Sequence, residues 1–270
     1  MPEPALLYEK KDGVATLTLN RPEARNALNP ELMVRLADAW QDVNDDPNVR
    51  VAILTGAGDR AFCAGADLDQ LIGMMQGRRQ PETEFEKRLV ANPDLNFKAL
   101  LRNYEVTKPI ISAIKGYCVA GGTEIIQVTD IRIASDDAEF GLAEVKRGLF
   151  PVGGSSVRLP RQIPFTMAMY ILLTGERISA AEALRVGLIT KIVPKAQVLD
   201  EAYRIAGIIN ENGPLAVQAI KKSVLAGLGL PMDKALEKEL ELGIPIQMTE
   251  DAKEGSRAFK EKRKPVFKGR

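Results

Sequence analysis

The chain has 270 residues, 45% of them apolar, with 37 Lys and Arg against 36 Asp and Glu and no His. That size suits one large globular unit or a unit with an appendage, and a net charge of +1 gives neither nucleic acid nor an anionic membrane a reason to be the main partner. Without histidine there is no usual general base, no usual zinc ligand and no Ser-His-Asp or Cys-His nucleophile, so proton chemistry falls to carboxylates, Lys or Tyr.

Apolar residues alternate on both sides of Asp12-Gly13 over residues 5–19, which predicts an opening β-hairpin. Asn29 then offers an N-cap, Pro30 a first helical position and Glu31 an early acid. With Leu32, Leu36, Ala39, Trp40 and Val43 at helical spacing, a helix is predicted over Pro30–Asp45. Residues 49–54 predict a buried strand ending at Thr55-Gly56. The long stretch 69–107 shows no clear pattern beyond a helix expected at about 95–104. Strand, turn and helix recur over 109–128, and a further strand is expected at 131–134. This alternation predicts an α/β architecture with partly parallel sheets. Beyond Ile192 the strand signals stop, and helices are predicted at 197–210, 214–226 and 232–248.

The start, Met1-Pro2-Glu3-Pro4, lacks a basic stretch followed by an apolar one, and no apolar run nears the roughly 20 residues that span a bilayer. A soluble, cytoplasmic protein with no membrane partner is expected. Cys63 and Cys118 are too few for a disulfide framework and lack metal-ligand spacing, so both are expected as small buried hydrophobes and no metal site is expected.

Two glycine-rich turns carry the chemistry. Residues 61–68 read Ala-Phe-Cys-Ala-Gly-Ala-Asp-Leu, and residues 116–124 read Gly-Tyr-Cys-Val-Ala-Gly-Gly-Thr-Glu. Each follows an apolar strand-like run, so each can aim a backbone N–H at one shared point, and two such donors make an oxyanion hole. Gly121-Gly122 admits a ligand close to the backbone, and the helix starting there would turn its positive end toward developing negative charge. Glu124 opens an otherwise apolar run, Ile125-Ile126-Gln127-Val128, an unusual place for a solvated acid, and Glu144 ends Phe140-Gly141-Leu142-Ala143-Glu144. Either turn alone fits an ordinary strand-to-helix connection; the two turns together with the two acids do not.

These motifs, with Asn20-Arg21-Pro22-Glu23-Ala24-Arg25-Asn26-Ala27-Leu28 before them and Ala258-Phe259-Lys260-Glu261-Lys262-Arg263 after them, resemble the crotonase (enoyl-CoA hydratase/isomerase) superfamily over nearly the whole chain. The resemblance is strongest to enoyl-CoA hydratases. It implies a crotonase-like α/β fold in which ββα turns spiral into two nearly perpendicular sheets. It also implies an acyl-CoA-binding catalytic core over 1–195 and a helical subdomain over 196–270 that caps CoA and assembles a homotrimer or a dimer of trimers.

By motif position the resemblance makes the Ala66 and Gly121 N–H groups the oxyanion donors and Glu124 and Glu144 the acid–base pair. Glu144 would deliver a proton to Cα of a 2-enoyl-CoA thioester, and Glu124 would orient and activate the water that attacks Cβ. Adding water across a conjugated double bond needs both a base and an acid, and two close carboxylates in a dry site should titrate as a pair that retains one proton near neutral pH. The resemblance also implies CoA contacts at Ala64, Asp67 and Leu68 for the adenine and at Arg25, with Phe259 and Lys262 reaching CoA from a neighbouring subunit. CoA belongs to the substrate, and no separate cofactor is expected.

Acyl contacts are expected from Leu71, Met74 and Met75, in a 69–107 segment longer than its counterpart in typical short-chain hydratases, and from Phe150 and Val152. Thr123 departs from the small Cys or Ala common in its turn. Within the family the alternatives are double-bond isomerisation, against which the retained Glu124 argues, and dehydration of a modified acyl-CoA. RNA binding through a Lys-rich face is the alternative of a different class, and the balanced charge argues against it.

Overall fold

In the computed structural model, which describes residues 3–270, the opening hairpin forms as its pattern requires. Strand β1 (Leu6–Lys11) pairs antiparallel with β2 (Val14–Leu19), and the two turn residues, Asp12 and Gly13, have φ of 50° and 80°. Helix α1 (Pro30–Asp45) starts where its cap predicts: Asn29 accepts the Leu32 N–H at 3.0 Å, and Leu32, Leu36, Trp40 and Val43 are buried. The Trp40 indole, fully buried, donates to the Ala99 carbonyl at 3.1 Å.

The chain then repeats one unit. Strand β3 (Val51–Gly56) is followed by β4 (Ala61–Cys63) and the short helices α2 (Leu71–Met75), α3 (Glu84–Ala91) and α4 (Asp94–Ala99). Strand β5 (Ile110–Ile114) is followed by β6 (Tyr117–Val119) and α5 (Gly121–Ile126). Strand β7 (Ile131–Ser135) is followed by β8 (Glu139–Gly141) and the 3-10 turn Ala143–Arg147. Then come α6 (Ser155–Gln162), α7 (Phe165–Thr174), β9 (Arg177–Ser179), α8 (Ala180–Arg185) and β10 (Lys191–Val193).

The first strand of each unit joins a six-stranded sheet, order β1-β2-β3-β5-β7-β10, parallel from β2 onward. The second strand joins a four-stranded sheet, order β4-β6-β8-β9, parallel except for β8 with β9. Strands β3 and β5 are buried at every residue, which is why they read as unbroken apolar runs. Because β4, β6 and β8 run parallel side by side, the turns that leave them emerge at one edge of the small sheet, where α/β proteins commonly place ligands.

Residues 69–107 are a built part of the body. Helices α3 and α4 pack on α1, and Leu71, Met74, Leu89, Leu95 and Leu101 are buried in the main core. The helix expected at 95–104 is shorter and earlier: α4 starts after Pro93 and ends at Ala99, and Leu101 has a left-handed φ of 51° that no helix continues through. Arg79 donates to Glu86 at 2.6 Å, and a Thr83–Glu86 capping box opens α3, so the Arg-rich stretch before it is pinned.

Four helices close the chain: α9 (Val198–Asn210), α10 (Pro214–Gly227), α11 (Met232–Gln247) and α12 (Glu250–Lys260). Helix α9 lays Val198, Ala202 and Ala206 on Val51, Ile53, Ile111 and Ile133 of the six-stranded sheet. Helices α10 and α11 pack on each other and bury no residue fully, leaving Ile220, Val224, Leu228, Leu236, Leu240 and Ile244 exposed. The basic tail folds back, with the Lys268 and Gly269 N–H groups donating to Asp251 and Arg50 donating to the Phe267 carbonyl. Among the described residues no helix is long and apolar enough to cross a membrane.

Candidate active site

The edge where β4, β6 and β8 end is assembled from buried polar ties. Asn26, fully buried, accepts the Arg21 N–H at 2.9 Å and donates to the carbonyls of Ala57 and Ala61 at 3.0 and 2.8 Å. The next residues pair with the first glycine-rich turn: the Leu28 N–H donates to Gly65 at 2.8 Å, and the Asp67 N–H donates to Leu28 at 2.9 Å. In such a parallel bridge the flanking groups of Ala66 carry the bonds, so the N–H of Ala66 itself points to the other side.

Gly65 and Gly121 bring the two turns together. Gly65 has a φ of 90°, and a Cβ on it would stand 2.6 Å from the Ala120 Cβ and 3.3 Å from the Gly121 nitrogen. A Cβ on Gly121 would stand 3.8 Å from the Ala66 nitrogen. The Gly121 N–H, at the first position of α5, has no partner inside the helix. Two backbone N–H groups that the scaffold does not use therefore stand side by side.

Ala120, between them in sequence, has φ 49° and ψ −124°, a conformation that costs an alanine on the order of 1–3 kcal/mol. Its N–H to Gly141, at 2.8 Å, and the Glu124 N–H to its carbonyl, at 3.0 Å, hold it there. Thr123 explains its departure from a smaller residue: its hydroxyl donates to the Cys118 carbonyl at 2.6 Å and accepts the Gly141 N–H at 3.3 Å, tying this turn to β8. Cys63 and Cys118 are fully buried partners across β4 and β6, and burial pushes the Cys63 thiol up to about 12, so both behave as inert packing.

Both acids reach this edge. Glu124, 4% exposed, accepts the Ser155 N–H at 3.4 Å at the start of α6. Gly153 lies so close that a Cβ there would be 2.6 Å from Glu124 Oε2. Gln127 fixes this arrangement by donating to the Ser155 hydroxyl at 2.8 Å. Burial raises the Glu124 carboxyl above its ordinary range, while the N–H groups of Ser155 and Gly153 and the Arg158 guanidinium pull it back. Glu144 stands in the 3-10 turn with Oε2 buried and unpartnered among the described residues. Burial pushes it up to about 7; the Glu124 charge adds to the rise, and its own backbone N–H and Arg147 oppose it. Burial thus favours the protonated form of both carboxyls, and the charge of one disfavours ionisation of the other.

The other sequence-derived candidates divide. Ala64 is half-buried and donates its N–H to the Arg25 carbonyl at 3.0 Å; the Arg25 side chain is exposed. The Asp67 carboxylate pairs with Arg21 at 3.0 Å and accepts the Gln70 N–H at 2.9 Å, so its side chain braces the turn. Leu68 is half-exposed, and Phe259 and Lys262 are exposed at the end of α12. Phe150, Val152 and Met75 are also exposed. Leu71 and Met74, by contrast, are buried in the main core. Among the described residues no cluster of acidic, Cys or His side chains is arranged for a metal.

Four contributors were not singled out from the sequence: Arg21, Asn26, Ser155 and Arg158. The first two lie inside a quoted motif and follow from it. Arg158 donates to the carbonyls of Gly153 and Leu101 at 2.8 and 3.0 Å, and the second partner, 57 residues away, leaves no local signal.

Known proteins resemble this chain over nearly its whole length. The enoyl-CoA hydratase/isomerase family model covers residues 9–270. The enoyl-CoA hydratase EchA19 of Mycobacterium tuberculosis is 45% identical over 267 residues, 99% of this chain and 97% of the relative. The (E)-benzylidenesuccinyl-CoA hydratase of Thauera aromatica is 42% identical over 261 residues, covering 97% and 98%. The crystal structure of an enoyl-CoA hydratase from Bacillus anthracis superposes with a TM-score of 0.89 at 34% identity, covering 98% of this chain and all of that one. The chain belongs to the enoyl-CoA hydratase/isomerase family and has its crotonase fold.

Proposed function

We propose that the protein adds water across the 2,3 double bond of a 2-enoyl-CoA thioester, with Glu124 and Glu144 as an acid–base pair. The observation that carries this reading is the meeting of two acids, Glu124 on the Ser155 N–H and Glu144 with a buried unpartnered oxygen, at the edge where two unused N–H groups stand together. The thioester oxygen accepts hydrogen bonds from Ala66 and Gly121, which stabilise the enolate-like charge by about 3–4 kcal/mol per donor. Glu124 takes a proton from water as its oxygen bonds to Cβ. The π electrons move onto the thioester, and Glu144 gives its proton to Cα. Glu124 ends protonated and Glu144 ionised, and one proton returned through solvent resets the pair. The same steps in reverse dehydrate a 3-hydroxyacyl-CoA.

The exposed side chains of Arg25 and Leu68 support a role in holding CoA, beside the half-buried Ala64. The exposed Phe259 and Lys262 support a contact to CoA bound in a neighbouring copy. The exposed apolar faces of α10 and α11 support assembly into a homotrimer or a dimer of trimers. CoA comes with the substrate, and no further cofactor enters the steps. The test follows the loss of conjugated thioester absorbance over a series of enoyl-CoAs differing in chain length and branching. Turnover with at least one supports hydration, whereas double-bond migration without hydration gives the isomerase reading.

A further inference from the structure

Arg158 lies in the first turn of α6, the helix whose start holds Glu124, and its guanidinium joins two parts of the chain that are far apart in sequence. One nitrogen donates to the Gly153 carbonyl at 2.8 Å, in the turn that presses on Glu124. The other donates to the Leu101 carbonyl at 3.0 Å, where the 69–107 segment turns through a left-handed residue after α4. Gly154, with φ of 116°, brings the backbone so close that a Cβ there would be 2.6 Å from the guanidinium. A planar fork meets the two carbonyls with two separate nitrogens in fixed directions, a geometry that the single nitrogen of an ammonium does not reproduce. The charged groups around Glu124 are Glu144 from the 3-10 turn and Arg158 from α6; Arg102 faces Arg158, and Arg147 faces Glu144.

Building on the hydratase reading, we propose that Arg158 is a positioning residue that ties the 69–107 segment to the catalytic turn and so sets the place and charge of Glu124. An acyl chain that leans on the segment would thereby bear on the acid–base geometry through one side chain.

The test is a kinetic comparison of wild type, Arg158→Gln and Arg158→Lys on short and long enoyl-CoAs across pH. Arg158→Gln is expected to lower kcat about 10- to 100-fold with KM within a few-fold, as small misplacements of reacting groups do. Its acid limb should move to higher pH, because losing a neighbouring positive charge raises a carboxyl. Arg158→Lys should keep the limb near wild type and lose kcat. Folded variants that match wild type in kcat and limb overturn the proposal.

If Arg158→Gln does not fold, Arg158→Lys and a wild-type measurement decide. Hydrogen exchange with and without a non-hydrolysable acyl-CoA thioether should show residues 94–102 and 153–158 gaining protection together, and protection confined to 153–158 overturns the tie. A wild type that hydrates no enoyl-CoA fails the hydratase reading instead, and the exchange measurement then decides the tie alone.

Discussion

Glu124 stands on the first turn of a helix with its carboxylate against the Gly153 and Ser155 backbone, whereas Glu144 stands in a 3-10 turn with one oxygen buried and unpartnered. Both are glutamates and both are raised by burial. Only the first receives N–H donors and a guanidinium from a neighbouring element, and those contacts favour its charged form. On the proposed reading, the difference places the division of labour in the turns that receive the side chains, since the surroundings of paired carboxyls set which acts as acid and which as base.

Exchanging either acid for its neutral isostere should break that comparison most sharply. Glu144→Gln and Glu124→Gln are each expected to lower hydration turnover by on the order of 10²- to 10⁴-fold with acyl-CoA affinity little changed, because the acids act on the transition state. Steady-state kinetics with a binding titration checks both. Glu144→Gln activity within a few-fold of wild type would remove it as the proton donor. Persistence of activity only in Glu124→Gln, above all in double-bond migration, would favour isomerisation.

The N–H pair of Ala66 and Gly121 comes next. Ala66→Pro deletes one donor and spares the Leu28–Ala66 bridge, whose bonds run through Gly65 and Asp67. Turnover should fall roughly 10²- to 10³-fold, with circular dichroism showing the fold retained. A folded, fully active variant would contradict the assigned donor.

The two turns should also differ in stability. Glu144 titrates near 7 when folded and in the ordinary carboxylate range when unfolded, so between those values the folded state binds more protons and stability falls as pH rises. Glu144→Gln cannot ionise and escapes that loss. Denaturant melts should find it more stable than wild type by up to about 3 kcal/mol at pH 8 and by no more than about 1 kcal/mol at pH 5. An equal difference at both pH values would show that Glu144 titrates normally. The same rise predicts that wild-type kcat/KM for hydration declines as pH rises through about 7, where the donor loses its proton.

What was legible in the sequence follows from where the information sits. Helix α1 and the opening hairpin carry their own caps, turns and periodicity, so local residues suffice. The four strands of the small sheet are three residues long, too short for a period to show, and only β4 and β6 lie in the glycine-rich motifs. Helix α12 escaped notice because it is mostly charged; Thr249 caps it, and the tail's N–H groups on Asp251 hold it. Both acids and both N–H donors were named from the resemblance by motif position, whereas the nearness of Ala66 to Gly121 in space needs the parallel neighbours β4 and β6, and the contact of Arg158 with Leu101 spans 57 residues.

The least drastic change probes the segment beside the oxyanion turn, where sequence alone could not separate a pocket residue from a core residue. Met74 and Met75 are adjacent on α2, a helix anchored by the Asp67 carboxylate on the Gln70 N–H, one residue from Ala66. Met74 is 9% exposed and Met75 is 59% exposed. A Trp at Met74 would overpack the core at roughly 1–3 kcal/mol and confound any kinetic reading. Met75→Trp adds its bulk on the open side and leaves the core alone. If α2 borders the acyl path, Met75→Trp should change kcat/KM for long enoyl-CoAs by a few-fold to about tenfold, the scale of one or two methylenes in an apolar site, with the four-carbon substrate least affected. Because the variant leaves Ala66, Glu124 and Glu144 in place, a uniform change across chain lengths would mean the helix had moved the oxyanion turn. An unchanged profile would mean that Met75 faces away from the acyl chain.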